Sequence, residues 1–193
     1  MAAQGIVKRR RNNMWLGNKL DNPLQPKRVT FTNPVAKSIV SSVNEIQNES
    51  RTELDSHANM VVIGCESMVI GWIEGKTYSA IPFDPSIGCV KSVPIIDAAL
   101  AYDCPYIYET YILIGRNVMY IKTLRDNLIA PFIMREAGII VDEKPKVQCV
   151  EPSVDNHSLY VPDFNLRIPL KLNAIFSYFA TRKPTKDEVD HCK

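Results

Sequence analysis

The sequence has no apolar run that approaches the ~18 to 20 residues needed for a membrane-spanning helix. Its N-terminal residues, 1–11, lack the apolar core of a secretory signal peptide. The sequence is also poor in metal ligands, because its five cysteines and three histidines are scattered and form no C-x-x-C pair. We therefore expect an intracellular protein, cytoplasmic or nuclear, with reduced thiols and with no membrane attachment, metal or cofactor.

The first 50 residues differ from the remainder in charge. They hold eight lysines and arginines and three acids, a local charge of +5 in a chain whose net charge is +2. This polar, proline-broken segment buries little apolar surface, so we predict that residues 1–51 form a mobile, largely disordered arm. The basic run Lys8, Arg9, Arg10 and Arg11 suggests weak nucleic-acid contact or nuclear import. A solvated tail is the simpler interpretation, because four residues provide few phosphate contacts.

From Leu54 onward the sequence consists of short segments that are rich in β-branched residues and are separated by Gly and Pro. This spacing predicts a mainly β domain, a small barrel or sandwich of antiparallel strands. One helix is predicted over residues 126–137, with Asp126 as its cap, Gly138 as its end and Pro131 as a kink or an early stop. The predicted strands are Met60–Ile63, Met68–Ile73, Tyr78–Phe83, Val90–Ile96, Tyr108–Ile114 and Ile139–Val141.

The final segment, residues 143–193, is less regular but carries enough apolar residues to pack on the preceding domain. Strands are predicted at Ser158–Val161 and, near a sheet edge, at Leu166–Leu172. A short helix is predicted over Lys186–Cys192, because Thr185 and Glu188 have the spacing of a capping box.

The most informative stretch is Asp55-Ser56-His57-Ala58. It places one carboxylate, one hydroxyl and a small residue between two apolar runs, which predicts a tight turn of the kind that carries catalytic groups. An Asx-type turn without a catalytic role is the plainer alternative. The stretch resembles the active-site loop of retropepsin-like aspartic proteases, whose signature is Leu-Asp-Ser/Thr-Gly-Ala. Asp55, Ser56 and Ala58 match that signature, and His57 stands in place of Gly.

The resemblance extends over residues 52–142. The run Asn117–Ile121 is similar to the Val-Leu-Tyr strand of Copia-type retrotransposon proteases, and residues 127–138 are similar to their Asn-Leu-Leu-Ser helix ending in Gly. A competing register matches Ile112–Asn117 to the Gly-Arg-Asn run that precedes the helix of retroviral proteases. Both registers imply one fold, a small closed β-barrel with one short helix.

The family resemblance implies an aspartic endopeptidase of a retrotransposon polyprotein that acts as a homodimer. Each chain supplies only one carboxylate, so Asp55 from two copies would form the catalytic pair, with Ser56 bracing the two loops. Ala58 and a flap hairpin tip at Ile87 and Gly88 would contact an extended peptide substrate. The alternative is a catalytically inactive remnant that serves as a binding or dimerisation module.

His57 is the departure that bears most on activity. A residue with a Cβ resists the backbone conformation that the family's Gly permits, so the sequence predicts weakened activity unless the turn tolerates it. The opposite idea makes His57 itself catalytic, but the sequence shows no Ser or Cys nucleophile with a supporting base.

Overall fold

The computed structural model describes residues 27–32, 38–40, 50–82, 86, 88–173 and 175–192, and the account below concerns those residues. Strands dominate this part of the chain, so the mainly β prediction is confirmed. The strands are β1 (Lys27–Thr32), β2 (Ser38–Val40), β3 (Arg51–Leu54), β4 (Val62–Ile63), β5 (Met68–Pro82), β6 (Val90–Asp103), β7 (Thr110–Tyr120), β8 (Asn127–Ile129), β9 (Ile140–Asp142), β10 (Ser158–Val161), β11 (Leu166–Pro169), β12 (Lys171–Asn173) and β13 (Phe176–Ala180). The two α-helices are α1 (Pro131–Glu136) and α2 (Lys186–Asp190).

Ten strands form one sheet in the order β12-β13-β3-β8-β4-β7-β6-β5-β2, with β1 pairing beside β7. Strands β12 and β2 end this order and do not pair with each other, so the prediction of a small closed barrel is wrong. The physical reason lies beside β3, where β13 pairs antiparallel and extends the sheet outward. Strands β9, β10 and β11 form a second, three-stranded sheet.

The long hairpin of β5 and β6 replaces several short strands of the prediction. Glycines 71 and 75 suggested turns, but both lie inside β5, whose pairing with β6 shifts register between Val69 and Gly71 and again between Trp72 and Thr77. A glycine in a strand often marks such an irregularity. The first three residues of β6 are exposed, whereas most of its residues from Val93 to Tyr102 are buried.

The predicted helix is shorter than expected and begins later. Residues 127–129 form strand β8, and α1 starts at Pro131, so the prediction is wrong for residues 126–130. Proline favours this first helical position, because the N–H that it lacks would have no partner inside the helix. The predicted end is confirmed, since Gly138 has φ of +82° and its N–H donates to the Arg135 carbonyl at 3.0 Å.

Residues after 142 share the core of the preceding residues. Strand β13 pairs with β3, and β10 pairs antiparallel with β9. Phe179 and Leu159 belong to the same buried cluster as Leu54 and Ile129. The capping box of α2 is confirmed, because the Thr185 hydroxyl and the Glu188 carboxylate bond each other's main-chain N–H. The domain boundaries themselves remain a prediction.

Two strands fall within the predicted N-terminal arm. Strand β1 runs parallel to β7, with Lys27 opposite Tyr111, and β2 runs parallel to the end of β5. Residues 27–32 and 38–40 are therefore strands, and the extent of the predicted arm remains a prediction. The basic run at residues 8–11 lies outside the described residues.

Candidate active site

The Asp55 turn sits where three strands converge. Strand β8 lies between β3 and β4 in the sheet, so the loop that joins β3 to β4 passes the end of β8. The main-chain N–H of Asp55 donates to the Ile129 carbonyl at 3.1 Å, which extends the parallel β3–β8 pairing by one residue. The Ala58 N–H donates back to the Asp55 carbonyl at 3.3 Å and closes the turn. The predicted tight turn is therefore present.

The two carboxylate oxygens of Asp55 have different environments. Oδ1 accepts a hydrogen bond of 2.9 Å from the main-chain N–H of His57, which is the geometry of an Asx turn. Oδ2 is buried and makes no hydrogen bond to any described residue. The Asp55 side chain as a whole is 4 % exposed. An Asx turn that served only to bend the chain would leave its second oxygen in water, so the plainer alternative accounts for Oδ1 and not for Oδ2.

His57 adopts an unstrained backbone conformation. The described residues with positive φ other than glycine are Ser92, Tyr108, Asn117, His157 and Asn165, and His57 is not one of them. A Cβ at position 57 therefore meets no left-handed backbone penalty, and the expected conflict between the turn and a residue other than Gly is wrong. The imidazole is 73 % exposed, with Nδ1 at 3.8 Å from Oδ1 of Asp55.

The flanking residues of the signature divide between solvent and core. Ser56 is exposed, and its Oγ lies 3.5 Å from Nδ1 of His57. Ala58 is 2 % exposed and packs in the main core cluster of its own chain with Leu54 and Val61. The small side chain at position 58 is therefore required by packing within the chain, while its contact with substrate remains a prediction.

Gly88, one of the two predicted flap residues, lies between the end of β5 and the start of β6. Gly88 is exposed, has φ of +82° and has no atom within 4 Å of where a Cβ would stand. Ile87 lies outside the described residues. The hairpin predicted here is present, and its action as a flap remains a prediction.

A buried amide supports the strands beneath the turn. Asn127 on β8 is fully buried, and its Oδ1 accepts a hydrogen bond of 2.9 Å from the Gly64 N–H at the end of β4. Its Nδ2 lies 3.5 Å from both the Arg51 carbonyl and the Thr52 hydroxyl on β3. One side chain thus ties together the three strands that carry the turn. The sequence pattern predicted a helix at Asn127 and did not indicate this role.

A buried ion pair lies on the strand that leads into Asp55. Arg51 and Glu53 are almost fully buried, with Nη2 at 2.7 Å from Oε1, and Arg51 Nε is 3.4 Å from Asp126. Burial raises the pKa of Glu53, and the charge of Arg51 opposes that rise. Arg51 also lies over the ring of Tyr178 on β13. The spacing of Arg51 and Glu53, two residues apart on one strand, is a sequence signal for an ion pair. The sequence does not show that both side chains are buried.

No protein-family model, curated protein or solved structure matches this chain. Among the described residues, no helix is long and apolar enough to cross a membrane, and no group of three or more His, Cys, Asp or Glu side chains is placed to hold a metal ion.

The structure also pairs a hydroxyl with a histidine elsewhere. Ser177 Oγ on β13 lies 2.9 Å from Nε2 of His157, a pairing that the sequence analysis did not find. Both side chains are buried, and burial lowers the pKa of His157. This hydrogen bond joins His157, the residue that precedes β10, to Ser177 on β13.

One cleft among the described residues is not lined by Asp55. It is open, has a volume of about 600 Å³, and is lined by acidic and basic side chains that include Glu66, Asp103, Arg125 and Arg182. Arg182 is already paired with Asp103 and with Glu188 on α2. The cleft has no buried carboxyl oxygen without a partner, so Asp55 remains the stronger candidate for chemistry.

Proposed function

We propose that this chain is one protomer of a homodimeric, retropepsin-like aspartic endopeptidase in which two copies of Asp55 meet. The substrate is an extended peptide segment, such as a site within a retrotransposon polyprotein, as the resemblance to Copia-type proteases implies. The retropepsin-like fold type is part of the proposal. Neither it nor the activity follows from a mainly β architecture alone.

The observation that carries the proposal is Oδ2 of Asp55. Burying a neutral polar group without a hydrogen bond costs on the order of 2 to 7 kcal/mol of folding free energy. Burying an ionised carboxyl group without one costs more. Buried ionisable groups of this kind cluster at functional sites. A catalytic carboxyl group that shares a proton with a second carboxyl group is one example. Oδ1, by contrast, is fixed by the His57 N–H, so the carboxyl plane is oriented.

The second carboxyl must come from another molecule. Oδ2 of Asp55 makes no hydrogen bond to any described residue. Glu53, the nearest acid along the strand, is paired with Arg51. A two-fold axis beside the Asp55 turn supplies the missing group, because such symmetry brings the same residue of each copy together.

The chemistry follows from two carboxyl groups that hold one proton. The ionised Asp55 accepts a proton from a water molecule as the water oxygen bonds to the scissile carbonyl carbon. The protonated Asp55 of the other copy donates its proton to the carbonyl oxygen, which gives a neutral tetrahedral diol. The C–N bond then breaks as the nitrogen takes a proton from one carboxyl and a diol hydroxyl returns a proton to the other. The pair ends with one proton, ready for the next cycle.

The test is cleavage of an unfolded protein substrate over a range of about pH 4 to pH 7, because the chemistry needs one of the two carboxyl groups protonated. We expect pepstatin, an aspartic protease inhibitor, to block the cleavage. The variant Asp55→Asn should abolish it, whereas Asp163→Asn, which changes an exposed aspartate in another turn, should leave it intact. Sedimentation should show a dimer for all three proteins.

Two results would change the conclusion. Cleavage that survives Asp55→Asn would refute the proposed chemistry. A stable dimer that cleaves nothing would favour the alternative, a catalytically inactive binding or dimerisation module.

A further inference from the structure

A cleft opens where the chain leaves strand β13. The Thr181 N–H still donates to the carbonyl of Ser50, just before β3, at 3.2 Å. The next residue, Arg182, instead exchanges main-chain hydrogen bonds of 2.9 Å and 3.0 Å with Ala101 on β6. The pairing of β5 with β6 ends at Ala99, so this edge of β6 is open to Arg182. All of these residues except Ala99 line the cleft, whose volume is about 600 Å³.

Two charged side chains of the cleft come from loops that are bonded to each other. Glu66 lies between β4 and β5, and Arg125 lies between β7 and β8. The Cys65 N–H donates to the Leu124 carbonyl at 2.8 Å, which holds the two loops together beside these side chains. Even so, the Arg125 guanidinium makes no ion pair or hydrogen bond with Glu66 or with any other described residue. The Glu66 carboxylate has a single long contact among the described residues, 3.9 Å from the Cys65 thiol.

The remaining charges of the cleft are already matched. Arg182 donates two hydrogen bonds to the Asp103 carboxylate, at 2.6 Å and 2.9 Å, and two more to Glu188 on α2. The hydrogen bonds from Arg182 lower the pKa of Asp103. The charged side chains that line the cleft are two basic and two acidic, so their formal charges sum to zero. Such a lining gives no net attraction for a polyanion such as nucleic acid.

A buried hydroxyl group of the cleft also lacks a partner. Ser50 lines the cleft, and its Oγ is buried and makes no hydrogen bond to a described residue. The hydroxyl group of the adjacent Thr181, by contrast, lies 2.9 Å from that of Thr52. A serine hydroxyl group both donates and accepts hydrogen bonds, and leaving it buried without a partner is unfavourable. Ser50 therefore offers a hydrogen bond to a ligand in the cleft.

We propose that this cleft binds a small zwitterionic ligand, a short peptide with free termini, whose carboxylate pairs with Arg125 and whose ammonium group pairs with Glu66. A ligand of this kind matches both unpaired charges and is itself neutral, as the lining is. Because Arg125 and Glu66 do not reach each other, the two charges of the ligand must be separated, as those at the ends of a peptide are. The volume of the cleft lies within the range of small-molecule sites, about 300 to 1,000 Å³. The inference goes beyond the proposed function, since no residue of the Asp55 turn lines the cleft.

The experiment follows the main-chain N–H signals of the full-length chain by NMR at neutral pH while glycylglycine is added. Two blocked probes separate the charges: N-acetylglycylglycine has the carboxylate alone, and glycylglycinamide has the ammonium group alone. The variants are Arg125→Gln, Glu66→Gln and Ser50→Ala. The matched controls are Lys122→Gln and Glu136→Gln, which change exposed side chains outside the cleft.

We expect glycylglycine to shift the N–H signals of Ala101 and Thr181, with a dissociation constant on the order of millimolar because exposed ion pairs contribute little. Each blocked probe should bind roughly two- to fivefold more weakly than glycylglycine. Arg125→Gln should remove the difference between glycylglycine and glycylglycinamide. Glu66→Gln should remove the difference between glycylglycine and the acetylated probe. Both controls should bind all three probes as the wild-type chain does.

Ser50→Ala should weaken binding and leave unfolding in urea unchanged, because the hydroxyl group that it removes has no partner in the fold. Signals of the cleft that do not move at tens of millimolar glycylglycine, or equal binding of all three probes to the wild-type chain, would overturn the inference. Binding that is lost in Asp55→Asn would place the peptide at the Asp55 turn and would also overturn it. These outcomes are independent of cleavage, which tests the proposed function separately.

Discussion

The substitution Asn127→Ala tests whether one buried amide holds the catalytic turn in place. It removes the 2.9 Å bond to the Gly64 N–H and leaves that buried donor without a partner. An orphaned buried donor costs about 1 to 3 kcal/mol, and the small cavity adds to this. The two contacts of Nδ2 at 3.5 Å are at the limit for hydrogen bonds and add little. The free energy of unfolding should fall by about 2 to 4 kcal/mol.

Urea denaturation followed by circular dichroism, at one fixed protein concentration, measures this loss. The matched control is Asn156→Ala, which removes the same amide from an open loop where its partners are Ser153 and Asp142. We expect the control to lose less than about 1 kcal/mol. Asn127→Asp should also destabilise at neutral pH, because it buries a charge beside the Arg51 carbonyl. A loss in Asn127→Ala no larger than that of the control would refute the assigned role.

Two further predictions concern packing and pH. In Gly64→Ala the new Cβ would stand 2.4 Å from the Leu124 carbonyl oxygen, so we expect a loss of stability of at least about 2 kcal/mol in the same urea assay. The control Gly71→Ala, whose new Cβ would have its nearest atom at 3.6 Å, should lose far less. The lowered pKa of buried His157 means that the unfolded chain binds its proton more tightly. Stability should therefore fall as pH drops below the ordinary value of 6.5, and His157→Asn should flatten this part of the thermal-stability profile.

The sequence predicted features that depend on local chemistry. The capping box of Thr185 and Glu188 and the end of α1 at Gly138 both require only neighbours a few residues away. The Asp55 turn belongs to the same class, because a carboxylate followed by small residues between apolar runs folds back on its own main chain. These local patterns also placed most of the strands.

Features that depend on distant partners could not be predicted in this way. Residues 127–129 form a strand because Asn127 reaches Gly64 and Leu128 pairs beside Glu53, which are contacts across more than 60 residues. The open sheet likewise results from β13, whose pairing with β3 no local pattern indicates. Pro131 was the one local signal that the helix starts later, since proline favours the first helical position.

The buried pair of Arg51 and Glu53 shows the same limit at the site itself. In the sequence these residues are typical of a solvent-exposed face of a strand. Their burial depends on Tyr178 and Asp126, which the fold brings from elsewhere in the chain. The orphaned Oδ2 of Asp55 is equally a property of the assembled fold, so the motif suggested the site and the structure supplied the argument for its chemistry.

The most direct test of the central claim is a mixing experiment with wild-type and Asp55→Asn chains that are refolded together. If each active unit needs Asp55 from two copies, an equal mixture should cleave at about one quarter of the rate of the same total amount of wild-type protein. The reason is that only dimers of two wild-type chains are active. Mixing with Asp163→Asn should leave the activity unchanged. Activity that falls in simple proportion to the wild-type fraction, to about one half, would show that one chain acts alone and would contradict the shared site.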